Sequence, residues 1–199
     1  MTTLSDAAIE ARRQAGRPRD PACDAAILRA TLEAFEAGGY PGVSIEGVAA
    51  RAGVAKATVY RRFASKADLV VEAVRSGAHI EDHLPDTGDL RADLVEMMRT
   101  LLGYLRGKHG GLLVRFYAER VSNPDLAEAF DRSVVGKKRE HMRHLLQSAR
   151  QRGDLAADAD IELIAEAGPA YIWHHAVYNL PFDDDLPERI VDLVLPSIR

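Results

Sequence analysis

Cysteine is nearly missing from this chain. A single residue, Cys23, stands among 199, so no internal disulfide can form and no zinc site can rest on several thiolates. That usage fits a reducing, cytoplasmic setting. Long apolar runs are missing too: the longest are short and interrupted, so neither a bilayer-spanning helix nor a membrane partner is expected. The first residues carry Asp6 and Glu10 with no apolar stretch around them, which predicts no secretory leader. The familiar short catalytic motifs are also lacking, with no P-loop, G-x-S-x-G, H-E-x-x-H or C-x-x-C. No catalytic residue, cofactor or metal is therefore expected, and the chain does not read as an enzyme. Among the histidines, His141 and His144 lie three apart, but zinc would need a third protein ligand. His174 and His175 are adjacent, hence about 100° apart on a helix. Asp183, Asp184 and Asp185 read as a solvated loop that helps cap the last helix.

What the sequence does hold is an uneven charge. The whole chain carries −4. Residues 12–66 contain ten Arg/Lys and five Asp/Glu, a balance of +5, whereas residues 76–199 contain fifteen and 21, a balance of −6. A basic front and an acidic back suggest two jobs. Hydrophobic residues at 47% and charged residues at 28% are an ordinary globular mixture.

Punctuation divides the chain into helices. Residues 1–19 are polar, with Gly16 and Pro18 as breakers, and read as a flexible basic arm. Asp20-Pro21 starts a helix, since Asp caps free N–H groups and Pro at the first position forfeits no needed donor. Ile27, Leu28, Thr31, Leu32 and Phe35 follow at helical spacing, and Gly38-Gly39 ends the run. Ser44 caps a helix over 45–51, Gly53 marks a turn, and 55–62 form another short helix. Ser65-Lys66-Ala67-Asp68 has the form of a capping box opening a helix to about residue 82. Further patterns cover 89–107, 111–122, 125–151, 159–179 and 187–197, with Pro85, Gly110, Pro124, Gly153 and the 181–187 stretch as dividers. No sustained alternation of period two occurs, so the fold is expected to be all-α with about nine helices.

The most informative stretch is 43–66, VSIEGVAARAGVAKATVYRRFASK. Small Ala49 permits a close crossing, and Gly53 suits a turn with positive φ. Ile45, Val48, Val54 and Val59 are expected to point inward. Lys56, Thr58, Tyr60, Arg61 and Arg62 then fall on or near the outer face of the second helix. A basic helix of this kind fits the B-DNA major groove. A plain helical corner would show the same inward residues; the outer face distinguishes the two.

Residues 20–75 resemble the N-terminal DNA-binding domain of TetR-family transcriptional regulators. The resemblance rests on Phe35, Gly38-Gly39-Tyr40, Ser44-Ile45, Val48-Ala49, Ala52-Gly53-Val54, Thr58-Val59-Tyr60, Phe63, Ser65-Lys66 and Leu69. Alanine stands at position 57, where the family often has glycine. Downstream the likeness is weaker and centres on Gly168-Pro169-Ala170-Tyr171. The resemblance implies an N-terminal three-helix unit carrying the helix-turn-helix, followed over 76–199 by a helical ligand-binding and dimerisation domain. It implies phosphate or base contacts from Ser44, Lys56, Thr58, Tyr60, Arg61, Arg62 and Lys66. Arg17 and Arg19, with Arg12 and Arg13, would touch phosphates or a minor groove from the arm.

Helix 159–179 is apolar around much of its circumference, which demands burial on more than one side. Both this helix and the last could simply be central to the protomer core; the family resemblance instead makes them the homodimer face, with Ile164, Gly168, Tyr171, Ile172, Ile190, Leu193 and Val194. Pro169 should kink the first of them. Flexible methionines and aromatics can line an adaptable small-molecule cavity but are more often plain core; the resemblance implies the cavity, here with Met97, Met98, Leu101, Tyr104, Phe116, Tyr117, Arg120, Met142 and Trp173. The implied protein is a dimeric repressor that binds a palindromic operator in double-stranded DNA and is released by an unidentified small-molecule effector acting through helix 69–82. A small helical enzyme or carrier, and a nonspecific DNA-packaging protein, are the alternatives from other classes.

Overall fold

The computed structural model describes residues 20–80 and 84–195. The basic arm, with Arg12, Arg13, Arg17 and Arg19, lies outside the described residues. Every regular element among those described is helical. The first four are α1 (Pro21–Gly42), α2 (Ile45–Ala52), α3 (Lys56–Tyr60) and α4 (Lys66–Gly77). There follow α5 (Leu90–Arg106), α6 (Gly110–Ser122), α7 (Pro124–Phe130), α8 (Gly136–Arg152), α9 (Ile161–Val177) and α10 (Leu186–Val194). A π-helical turn, Asp131–Val135, joins α7 to α8. The sequence pattern reads that continuous run as one helix, and with it counted so the described residues hold nine rods.

The caps act as their chemistry dictates. Asp20 accepts from Ala22 N at 3.0 Å, with Pro21 at the first position. Ser44 accepts from Gly47 N at 3.1 Å, and Ser65 accepts from Asp68 N at 3.0 Å. Inside α1 the backbone leaves helical geometry at Gly39 (φ 66°, ψ −165°), where the glycine pair places the stop. The π-helical turn also depends on a glycine. A Cβ on Gly136 would stand 2.7 Å from the Asp131 carbonyl oxygen.

Two expectations are corrected here. Helix α4 ends at Gly77 and not near 82. His79 adopts positive φ, and Ile80 N reaches back to Arg75 O at 2.9 Å, the closing bond of a Schellman motif. The Asp183–Asp185 run gives α10 no side-chain cap. Asp183 instead pairs with Arg189 at 3.2 Å, and Asp184 pairs with Arg106 of α5 at 2.7 Å.

α1, α2 and α3 pack around Ile27, Phe35, Val43, Val48 and Val59, all fully buried. α4 presents Leu69, Val70, Val71 and Val74 to this cluster and to α7. Such breadth suits a helix gripped on two sides. Beyond it, α5 packs on α6, α9 and α10, and α8 lies along α9. The core is continuous across the junction. The ring of Phe35 on α1 lies 6.0 Å from that of Phe116 on α6, which meets Phe130 at 4.8 Å. Polar ties reinforce it: Tyr40 donates to Asp125, Arg115 to the Glu36 carbonyl at 2.6 Å, and Arg132 to Asp68 at 2.6 Å.

Candidate DNA interface and ligand cavity

The angle between α2 and α3 is set by Gly53. Its φ of 68° and ψ of 31° are left-handed values, which an L side chain adopts only at a cost. Val54 N then closes onto Ala49 O at 3.0 Å. Val59 and Ile45 are buried beneath the pair, so the opposite side of α3 faces outward. There Ser44, Lys56, Tyr60 and Arg61 are exposed, Tyr60 at 52% despite its size. Lys56 pairs with Glu46 of α2 and sits 5.6 Å from the Tyr60 ring centroid. That bond holds the Glu46 carboxyl below its ordinary range and the Lys56 ammonium above its own. Thr58 is half-buried. Lys66, at the start of α4, lies over the Tyr40 ring at 4.2 Å.

Arg62 departs from the sequence expectation. It is turned away from the outer face and ion-paired with Asp24 of α1, its side chain only 13% exposed. Its Nη1 also reaches the Thr58 carbonyl at 3.5 Å. The carboxylate bond makes the guanidinium still more basic. Arg62 follows the last turn of α3, where the chain bends back toward α1, so its reach is spent on the scaffold. Arg61, one position earlier, keeps the outward direction.

The nine side chains expected at a small-molecule cavity come together. Met97, Met98, Leu101 and Tyr104 of α5, Phe116, Tyr117 and Arg120 of α6, Met142 of α8 and Trp173 of α9 all line one cavity of about 240 Å³. Tyr117 and Trp173 stack with centroids 4.3 Å apart. The sequence reading missed several further walls, among them Leu113, Lys138, Arg139, Glu166 and Pro169. Their signal was present in the helical period: Lys138 lies one turn before Met142, and Pro169 one turn before Trp173.

The proposed dimer face divides in two. Ile164, Gly168, Ile172 and Ile190 are buried within the protomer. A Cβ on Gly168 would point at Met98 Sδ (3.1 Å) and Ile190 Cγ2 (3.2 Å) of the same chain. Tyr171 and Leu193 are exposed, and Val194 is half-buried. Exposed with them are Leu163 and Val177, which the sequence counts in the apolar circumference of this helix, and Tyr178. Positions 163, 167, 170, 171, 174, 177 and 178 recur at helical spacing and trace one outer stripe of α9. Pro169 lies within α9, which runs unbroken from Ile161 to Val177.

No helix among the described residues is long and apolar enough to cross a membrane. No group of three or more His, Cys, Asp or Glu among them is placed to hold a metal ion.

Comparison with known proteins settles the family. Residues 27–73 match the model of bacterial regulatory proteins of the tetR family, and residues 84–194 match the tetracyclin repressor-like C-terminal domain. The chain belongs to the TetR family of transcriptional regulators. It is 31% identical over 190 residues to an uncharacterized HTH-type transcriptional regulator of Mycobacterium tuberculosis, covering 92% of this chain and 94% of that protein. It is 32% identical over 176 residues to the DNA-binding transcriptional repressor TetR of Mycobacteroides abscessus, covering 86% and 90%. Among solved structures, the TetR family transcription regulator SCO0332 superposes with a TM-score of 0.65 at 26% identity, covering 86% of this chain and 96% of that one. FadR from Bacillus subtilis, solved in complex with stearoyl-CoA, shares the fold at a TM-score of 0.66 and 19% identity, covering 87% and 98%. As a TetR-family member, this protein is a DNA-binding transcriptional regulator built on an all-helical fold.

Proposed function

We propose that this protein is a ligand-responsive repressor that binds a palindromic operator as a homodimer. It is read as a regulator and not an enzyme because its relatives are named as regulators. The repressor assignment draws on the relative bearing that name. In this reading residues 20–75 form the DNA-binding unit, residues 76–199 form the sensing and pairing unit, and residues 1–19 form a basic arm whose Arg17 and Arg19 meet phosphates. The observation that carries the proposal is the outward face Ser44–Lys56–Tyr60–Arg61 on a helix pair fixed from behind by the Arg62–Asp24 bond. Such a helix enters a major groove; an Arg on a guanine edge discriminates by about 1–3 kcal/mol. Lys66 stands where helix N-terminal N–H groups also favour phosphate.

One such unit touches few base pairs, so two act together on half-sites one or more helical turns apart. The apolar stripe of α9 and Leu193 of α10 are the surface this pairing would cover. The cavity between α5, α6, α8 and α9 is the effector site. Its walls include Phe116 and Phe130, which lie directly beneath α1 and beside α4. An effector that fits only one arrangement of α6 and α7 would shift Tyr40 through Asp125, and Lys66 with it. Regulation requires such differential affinity for the two states.

Selection of bound duplexes from random oligonucleotides tests this reading. The expected product is an inverted repeat occupied by at least one dimer and footprinted in major grooves on one side. Recovery of no common sequence would remove the operator reading.

A further inference from the structure

Arg120 is the anomaly of the cavity. Its Nε is buried and has no hydrogen-bond partner. Its guanidinium carbon lies 4.8 Å from the Tyr117 ring centroid and 5.3 Å from that of Phe130. No carboxylate among the described residues pairs with it. Its neighbours are treated differently. Arg115 donates to the Glu36 carbonyl, Arg132 is bonded to Asp68, and Arg139 is bonded to Glu166 and Asp131. Of the two arginines in the cavity wall, Arg139 has its acids and Arg120 has none among the described residues. Aromatic faces compensate a cation only in part, and a buried donor without a partner is costly to keep.

The charge of the cavity points the same way. Two arginines, Arg120 and Arg139, line it against one acid, Glu166, and Glu166 is already held by Arg139 at 2.6 Å. This excess of positive charge sits inside the acidic part of the chain. The remaining walls are chiefly apolar, and the stacked Tyr117–Trp173 pair makes a flat aromatic side beside Arg120. The volume of about 240 Å³ lies below the range of roughly 300–1,000 Å³ usual for drug-sized ligands.

We propose that the effector is a small, otherwise apolar carboxylic acid, an aryl or short alkyl acid, whose carboxylate binds the guanidinium of Arg120. Guanidinium and carboxylate match as two parallel hydrogen bonds, and the anion would supply the partner that Arg120 Nε lacks. The apolar body would lie along Tyr117 and Trp173 toward the methionines of α5. This inference rests on the cavity being the effector site.

The test pairs each acid with its neutral amide: octanoate with octanamide, and 3-phenylpropionate with 3-phenylpropanamide. Trp173 is the only tryptophan in the chain, so its fluorescence reports occupancy of the full-length protein directly. The acids should bind at least tenfold more tightly than their amides. That preference should vanish in Arg120→Gln and survive in reduced form in Arg120→Lys. Thermal melting should place Arg120→Gln at or above the wild type, because a half-buried guanidinium whose Nε has no partner has been removed. If that variant fails to fold, the acid–amide comparison in the wild type and in Arg120→Lys still decides. Equal binding of acid and amide, or an acid preference untouched in Arg120→Gln, overturns the ligand class and leaves the cavity as the effector site. No response of Trp173 to either series at millimolar concentration overturns both.

Discussion

Replacing Leu193 by Glu should dissociate the protein into monomers without unfolding it. In the protomer this side chain is 78% exposed, and Leu163 on α9 is 64% exposed. Two leucines so open, with Tyr171, Val177 and Tyr178 exposed as well, mark the apolar surface that the proposed pairing would cover. Burying a leucine fully is worth about 1.5–3 kcal/mol, so covering the open part of Leu193 is worth roughly 1–2 kcal/mol. In the proposed dimer a twofold axis would bring the same residue from both subunits. The loss per dimer is then about 2–4 kcal/mol, or a 30- to 1,000-fold rise in the dimer dissociation constant. A glutamate in an apolar interface adds its own desolvation, which carries the effect beyond that range. Leu163→Glu should act in the same direction. Sedimentation equilibrium reads the association, and far-ultraviolet circular dichroism on the same samples reads the fold, which should keep its helical content. Gly168→Asp is the contrasting case. Its new side chain would meet Met98 and Ile190 inside the protomer, so it should lower the melting temperature and not act chiefly on association. A dimer of undiminished affinity in both Leu163→Glu and Leu193→Glu would refute the reasoning.

Arg61→Ala should weaken operator binding and reduce the slope of log affinity against log salt by about one, with no change in melting temperature; an unchanged slope and affinity would show that Arg61 does not reach DNA. Arg62→Ala should lower the melting temperature by removing the tie between the end of α3 and α1, and Arg62→Met should recover less of operator affinity than of packing; a variant as stable as the wild type would deny the strut. Tyr40→Phe should leave operator affinity nearly intact but blunt its response to effector, measured as the ratio of affinities with and without ligand. Its pH behaviour is also fixed in sign. Burial, and then the bond to Asp125, raise the Tyr40 hydroxyl pKa above its ordinary value of 10.0. The stability Tyr40 contributes is therefore intact below pH 10 and is lost as pH rises toward the raised value. The melting-temperature gap between wild type and Tyr40→Phe should be constant at neutral pH and shrink above pH 10; a gap that widened would contradict it.

Local chemistry made most of the helix boundaries legible in the sequence. Asp20, Ser44 and Ser65 cap helices because their side chains accept from N–H groups two or three residues on, a relation confined to neighbours. Gly39, Gly53 and Gly153 end or kink helices through positive φ, another local property. His79 takes the same conformation without being glycine, and for that reason the end of α4 is not visible in the sequence pattern. The cavity residues of α5, α6 and α8 were legible because methionines and aromatics recur one turn apart on facing helices. The free Arg120 was not, since an unpaired cation is defined by the absence of partners from distant segments. Arg62 shows the same limit: its partner Asp24 lies 38 residues away. Helix α9 shows another. It is apolar on two sides, one buried against Met98 and Ile190 and one open at Leu163 and Tyr171, and composition alone does not separate inner from outer. The spacing of the residues does, once one of them is known to be inside.

The most direct test of the central claim is a competition measurement at physiological salt. Full-length protein bound to its selected inverted repeat is challenged with a scrambled duplex of the same length and composition. A sequence-reading dimer should prefer the inverted repeat by at least roughly a thousandfold, and substituting alanine at Lys56 and Arg61 should erase most of that preference while leaving the dimer intact. Equal affinity for the two duplexes would contradict the account.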